Sequence, residues 1–262
     1  MPSSLSVRTI DINCDMGEIP GLLANGTEEA LMKFVSSANI ACGGHAGDAS
    51  SMEAMVRLAI RHRVAVGAHP SYPDKENFGR SEMNMTAAEV SSFVYEQVRS
   101  LADVARKCGG TIAHVKPHGA LYNRAANDRE VAQAIAAGVS RFDRSLILVG
   151  QAGSQMLDCW KREGFNVAAE GFADRRYERN GSLRPRKLSN ALILDPAAAG
   201  RQAVDIAVRG RASAYDGTEI VVEAQSLCIH GDTPGAAAIV AEVKNQLEKA
   251  GVEITSLRSL LH

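Results

Sequence analysis

Strand-like and helix-like segments alternate along most of this chain, and that alternation limits the folds open to it more than any other feature. Short apolar runs occur near 7–14, 36–42, 64–69, 111–116, 145–149, 166–170, 219–223 and 225–229. Segments with helical signals lie between them. Thr27 suits an N-cap, Ser50 to His62 forms a second segment, and Thr86-Ala-Ala-Glu89 has capping-box spacing. That third helix runs to Cys108 and stops at Gly109-Gly110, and its Phe93, Val94 and Leu101 read as core positions. Segments 128–139, 154–163, 196–209 and 234–250 complete the set, with Pro196 and Pro234 in first turns, where a missing N–H costs little. Strand–helix repetition predicts a parallel sheet covered by helices. Seven or eight such units fit a closed (β/α) barrel better than an open sheet. Barrels of this length, 262 residues, are often single domains, and we expect one domain over 1–262 without linker or repeat.

The strand ends carry the functional signal. Six apolar runs end in acids, amides, histidines or lysine of one parity: Asp11-Ile-Asn-Cys-Asp15, the run to His45, Val64 to His69, His114-Val-Lys-Pro-His118, the run to Glu170 with Asp174 and Arg175 beyond, and Cys228-Ile-His-Gly-Asp232. Alternate side chains of a strand share a face. Asp11, Asn13 and Asp15 therefore point one way, and His114, Lys116 and His118 do likewise. Ionisable groups gathered at several strand ends predict a catalytic mouth. The loops 70–85 and 171–192, which follow such ends, are expected to shape the pocket.

Composition excludes several classes. Hydrophobic residues make up 45% and charged residues 23%, with a net charge of -1. No basic block supports nucleic-acid binding, and no apolar stretch reaches the ~20 residues that span a bilayer. The five cysteines include no CxxC spacing, which predicts buried reduced thiols. Met1 to Thr9 lacks the apolar core of a signal peptide. A cytoplasmic location is expected.

Several motifs resemble the LamB/YcsF family, which supplies the A subunit of the prokaryotic ATP-dependent 5-oxoprolinase. They are Asp11-Ile-Asn-Cys-Asp-Met-Gly-Glu18, Asn39-Ile-Ala-Cys-Gly-Gly-His-Ala-Gly-Asp48, Gly67-Ala-His-Pro-Ser-Tyr-Pro-Asp74, Phe78-Gly-Arg80, His114-Val-Lys-Pro-His-Gly-Ala-Leu-Tyr-Asn123, Glu170-Gly-Phe-Ala-Asp-Arg175 and His230-Gly-Asp232. The resemblance covers roughly 9–257. It implies an irregular (β/α) barrel, seven-stranded, related to deacetylase and glycoside hydrolase barrels. It also implies ATP-coupled opening of 5-oxo-L-proline to L-glutamate, with separate B and C subunits. Four positions depart from the family pattern: Gly44 replaces an aromatic, Ala49 a proline, Ser71 a glycine, and Asn190 a glycine. They bear on pocket shape and hence on substrate preference.

A lactam carbonyl is a poor electrophile, so phosphoryl activation by ATP suits its hydrolysis. The chain has no GxxxxGK[ST] loop, which places nucleotide handling at least partly in the partners. Asp15 is the first choice for general base, its pKa raised by neighbouring carboxylates; the alternative is a cap on the Gly17 turn. His45 and His69 are candidates for proton relay. Lys116 would meet the substrate carboxylate or a phosphoryl group, unless Asp11 or Glu170 claims it. Arg175 offers a planar fork. Asp11, Asn13, His118, Glu170, Asp174, His230 and Asp232 complete the expected substrate pocket. A divalent metal is not expected on this chain; if one is present, Asp15, His45 and His118 would hold it. The alternatives are a stand-alone metal-dependent amidase or deacetylase and a non-catalytic ligand-binding regulatory subunit. The exposed helices serve self-association as readily as partner docking.

Overall fold

β1 (Arg8–Met16) sets the plan of the interior. Ile10, Ile12, Cys14 and Met16 are buried on its outer face, while Asp11, Asn13 and Asp15 are buried on the other, toward the barrel axis. The computed structural model describes residues 8–261. β2 (Ser37–Ala41), β3 (Ala65–His69), β4 (Ile112–Val115), β5 (Ile147–Gln151) and β6 (Val167–Phe172) follow in parallel, each beside the last. β7 (Arg211–Ser213) and β8 (Glu219–Val221) form a separate antiparallel pair. β9 (Ser226–His230) pairs with β6 on one side and β1 on the other, closing a barrel of seven parallel strands. β10 (Val252–Ile254) adds a short parallel pairing at the start of β1. The expected strand 219–223 thus lies outside the barrel: it has three residues, of which Glu219 and Val221 are exposed, too few apolar contacts for an interior strand.

Helices sheathe the strands: α1 (Pro20–Ala24), α2 (Thr27–Met32), α3 (Ala49–His62), α4 (Ala87–Lys107), α5 (Gly119–Ala125), α6 (Arg129–Phe142), α7 (Gln155–Arg162), α8 (Pro196–Val204), α9 (Ala236–Lys249) and α10 (Leu257–Leu260). Their starts follow side-chain chemistry. Asp48 caps α3 in a reciprocal box with Ser51, Thr86 and Glu89 cap α4, and Asp128 and Asp195 cap α6 and α8. Thr27 is not a cap. Gly26, at φ +79°, holds that position, and Thr27 is already helical. Pro234 precedes its helix, whose cap is Gly235. On α4 the buried stripe is Val90, Val94, Gln97, Val98, Leu101, Ala102 and Ala105. Phe93, one residue off that stripe, is exposed rather than core. A small apolar cluster of Ile147, Val149, Ala168 and Leu257 brings α10 against the barrel. The five cysteines are free, and all but Cys108 are buried. No helix among the described residues is long and apolar enough to cross a membrane.

The four departures have local explanations. Asn190 sits at φ +58°, a left-handed conformation that asparagine tolerates best after glycine. Ala49 is the first residue of α3, where proline and alanine both fit. Gly44 and Ser71 meet in space. A Cβ on Gly44 would lie 2.5 Å from Ser71 Oγ and 2.3 Å from Gln97 Oε1. The serine hydroxyl and the Gln97 amide therefore fill the space a larger residue 44 would need.

Candidate active site

The barrel axis is lined by polar groups stacked in layers. At the base, Asp11 accepts hydrogen bonds from Ser36 and Ser37 at 2.7 and 2.6 Å, and from Ser226. Burial lifts its carboxyl to about 6, these hydroxyls opposing the rise only in part. Above it, Asn13 donates to Glu170 at 2.8 Å and to Ser226 at 2.7 Å, and accepts from Asn39 at 2.7 Å. His114 Nε2 reaches Asn39 Oδ1 at 2.8 Å. Gly67 makes room for that ring, since a Cβ there would lie 2.0 Å from His114 Nε2. Burial lowers His114 to about 3, so the ring is neutral.

The next layer carries the charges. Lys116 Nζ lies 2.9 Å from Glu170, 3.0 Å from Asp15, 3.2 Å from Asn13 Oδ1 and 3.1 Å from Cys228 Sγ. Tyr122 donates to the other Glu170 oxygen at 2.8 Å. Burial alone would raise Asp15, but the charges of His69 and Lys116 outweigh it and hold the carboxyl well below the usual range. The expected upward shift is therefore corrected: the nearest charges to Asp15 are cations, while Asp11 sits lower in the stack. Burial opposes the Lys116 charge too, and the anions around it prevail, raising it.

A cavity of about 590 Å³ opens at the carboxyl ends of the strands, with Asp15, His69, Lys116, His118, Arg175 and His230 on its wall. Asp232 also lines it, bound by Arg80 at 2.6 Å and Arg186 at 3.0 Å. Asp11, Asn13, His45, Glu170 and Asp174 lie behind the wall: Asp11 and Asn13 form the floor beneath it, and Glu170 backs Lys116. Asp174 is buried behind His230. It accepts from His230 Nδ1 at 3.0 Å, from the His230 backbone N–H at 3.0 Å and from Thr233 at 2.9 Å. Burial opposes the Asp174 charge, but the His230 charge and these bonds hold its pKa low. Arg175 donates to the Arg184 carbonyl at 2.7 Å, while its buried Nε has no protein acceptor. The loops expected to shape the pocket do so, through Arg80 and through Phe172, Arg175, Ser182 and Arg186.

Along one wall, Glu18 gathers three imidazoles. Its Oε1 lies 2.8 Å from His45 Nε2, 3.1 Å from His118 Nδ1 and 3.7 Å from His69 Nε2. His45 stacks on His118 with centroids 3.7 Å apart. Burial drives His45 down to about 4. It would lower His69 as well, but the Asp15 carboxylate reverses the sign and raises it. Glu18 is held below the usual carboxylate range: burial would raise it, and hydrogen bonds from His118 and His45 prevail. Strand parity ends at Met16, which hides Glu18 from a reading of the sequence. The chain then turns at Gly17, φ +73°, held by a 2.6 Å bond from its N–H to Glu28. Asn39 is within reach of the parity argument. Tyr122, Arg80 and Arg186, on a helix and two loops, carry no such signal.

The LamB/YcsF family profile matches residues 10–262. The A subunit of 5-oxoprolinase from Methylococcus capsulatus is 49% identical over 250 residues, covering 95% of this chain and 96% of that protein. The crystal structure of a lactam utilization protein from Thermus thermophilus superposes with a TM-score of 0.88 at 42% identity, over 95% of this chain and all of that one. A family 4 carbohydrate esterase from Streptomyces lividans shares the barrel alone, with a TM-score of 0.52 at 13% identity over 95% and 93% of the two chains. The closed seven-stranded barrel, its polar axis and these likenesses place the chain in the LamB/YcsF family.

Proposed function

We propose that this chain carries the hydrolytic half of ATP-dependent 5-oxo-L-proline ring opening, yielding L-glutamate in a complex with B- and C-type partner subunits. The names of its relatives, an A subunit of 5-oxoprolinase and a lactam utilization protein, support the substrate class. The observation that carries the reading is the Asp174–His230 pair facing the same cavity as Asp15 and Arg175. His230 Nδ1–H donates to a fully buried carboxylate, which fixes the ring and leaves Nε2 for proton transfer. Asp15 is its cross-strand partner in the β1–β9 register.

ATP transfers its terminal phosphoryl group to the lactam oxygen, making C5 electrophilic. Water adds to C5, hydrogen-bonded to Asp15, and His230 takes its proton. The same imidazolium returns the proton to nitrogen as the C5–N bond breaks, and the adduct's hydroxyl proton passes to the freed amine, leaving γ-glutamyl phosphate. A second water releases phosphate and glutamate. Arg175, on the cavity wall, offers its guanidinium charge to the ring carboxylate. Lys116 serves the interior, since Asp15 and Glu170 already match its charge. The chain has no P-loop, so ATP binds largely on the partner subunits.

The test is glutamate release from 5-oxoproline, with and without ATP, by this chain alone and with B and C partners. Turnover is expected only in the full mixture with ATP, and His230→Gln should lower kcat by roughly 10²–10⁴-fold without dissociating the complex. Glutamate release by the isolated chain without ATP, or tight ATP binding and turnover by it alone, would reject the reading.

A further inference from the structure

Glu18, His45, His69 and His118 meet in a way that neutral imidazoles do not satisfy. His69 Nδ1 lies 2.7 Å from the Lys116 carbonyl, and His118 Nε2 lies 2.9 Å from the Phe78 carbonyl. A carbonyl only accepts, so both outer nitrogens carry hydrogen. In neutral rings the inner nitrogens, His69 Nε2 and His118 Nδ1, then present lone pairs. They face each other at 3.0 Å. Glu18 Oε1 stands 3.1 Å from the second and 3.7 Å from the first, and His45 Nε2 stands 2.8 Å from the same oxygen. Three buried imidazoles and a carboxylate with 8% side-chain exposure thus surround one point. A shared proton relieves the His69–His118 contact. An ion between Glu18, His69 and His118 relieves the contacts among all three.

We propose that this chain binds one divalent ion of the zinc class, with Glu18, His69 and His118 as its ligands; His45, its ring within 3° of parallel to His118 and 3.7 Å from it, aims its nitrogen elsewhere and holds Glu18 at 2.8 Å. Their donor atoms lie 3.0, 3.1 and 3.7 Å from one another. Tetrahedral ligands bound at about 2.0–2.1 Å are spaced about 3.3–3.4 Å apart, inside that range. Two nitrogens and one carboxylate oxygen, with the fourth position open, form a donor set suited to zinc. The outer hydrogen bonds to backbone carbonyls fix the tautomer in which the inner nitrogen is the ligand, the arrangement that supports metal-bound histidines. Of the Asp15, His45 and His118 expected from the sequence, only His118 stays in the set: Asp15 is engaged by Lys116 and Asn39, His45 is stacked on His118, and Glu18 and His69 stand instead. A second group, Asp15, Cys228 and His230, is a weaker site. Lys116 Nζ lies 3.0 and 3.1 Å from its oxygen and sulfur, and repels a second cation. A bound ion would polarise a carbonyl oxygen or a water beside Asp15. The inference goes beyond the ring-opening reading, and its test reads binding rather than turnover.

The full chain is purified without a metal-affinity step, assayed for metal by mass spectrometry, stripped with chelator, and titrated with zinc and with cobalt(II). One equivalent per chain and visible cobalt bands of a tetrahedral nitrogen/oxygen site are expected. Glu18→Gln and His118→Gln should each weaken zinc binding by at least about 100-fold, while Cys228→Ala leaves it unchanged. Circular dichroism establishes that each variant is folded, and either ligand variant suffices. Stripped, folded protein that binds neither ion stoichiometrically overturns the proposal. So do Glu18→Gln with undiminished affinity, and cobalt bands lost only in Cys228→Ala.

Discussion

Lys116 balances two carboxylates largely withdrawn from water. Glu170 is wholly buried and Asp15 nearly so, with the ammonium 2.9 and 3.0 Å from them. Removing one partner of such a set leaves charge uncompensated in the interior, at roughly 3–5 kcal/mol. Lys116→Met should show that loss in denaturant unfolding, whereas an isolated surface pair such as Arg57–Glu53 would cost little. Asp11 predicts the opposite dependence on acid. Its native pKa of about 6 stands above the ordinary value of 3.8, so the folded state favours the protonated carboxyl. Its stabilising contribution is complete below pH 3.8 and is lost as pH rises through 6. Asp11→Asn lacks that loss, and its stability relative to the parent should improve by about 2 kcal/mol between pH 4 and pH 7. Unfolding curves at the two pH values read this directly. Parity along β1 makes Asp11, Asn13 and Asp15 legible as one face. It does not tell floor from mouth, because depth in a barrel depends on the stagger of neighbouring strands. The Glu18 side chain escapes for a related reason: a turn, not a strand, aims it.

The long helices are legible because each joins an apolar stripe to a cap. α4 and α6 begin within a residue of the expected position, behind Thr86 and Asp128. The short helices are not. α1, α5 and α10 have five, seven and four residues, too few for periodicity to emerge, and they form through packing instead. The hairpin of β7 and β8 misleads for the same reason, since a short apolar run reads alike inside a barrel or beside it. At the start of α3, Ala49 is exposed, follows the extended Asp48, and occupies the first helical position. Ala49→Pro should therefore stabilise the fold by about 0.4–1 kcal/mol by restricting the unfolded chain. A melting-temperature rise with unchanged circular dichroism is the expected result. A fall would mean that the Asp48 cap does not tolerate the ring.

In the whole molecule, the seam between β1 and β9 joins segments over 200 residues apart in sequence, and β9 also holds β6. A barrel closed this way has no edge strand from which to fray. Trp160, the only tryptophan, is fully buried on α7 and donates to the Ala132 carbonyl at 2.8 Å. Its fluorescence therefore reports on the side chains around α6 and α7, while far-UV circular dichroism reports on all the helices. The two should trace one coincident denaturant transition; separated midpoints would show the seam opening before the rest. The pattern of alternating strands and helices foretells the barrel but leaves closure open, because closure depends on β9 meeting both neighbours, which no local window contains. That seam also has a consequence for biosynthesis. Asp15 is made over 200 residues before His230, so the two halves of the pocket meet only once β9 has followed β1 out of the ribosome. Until then β1 offers an unpaired edge to whatever chaperone attends it. A message cut before β9 leaves an open sheet in which Asp15 never meets His230.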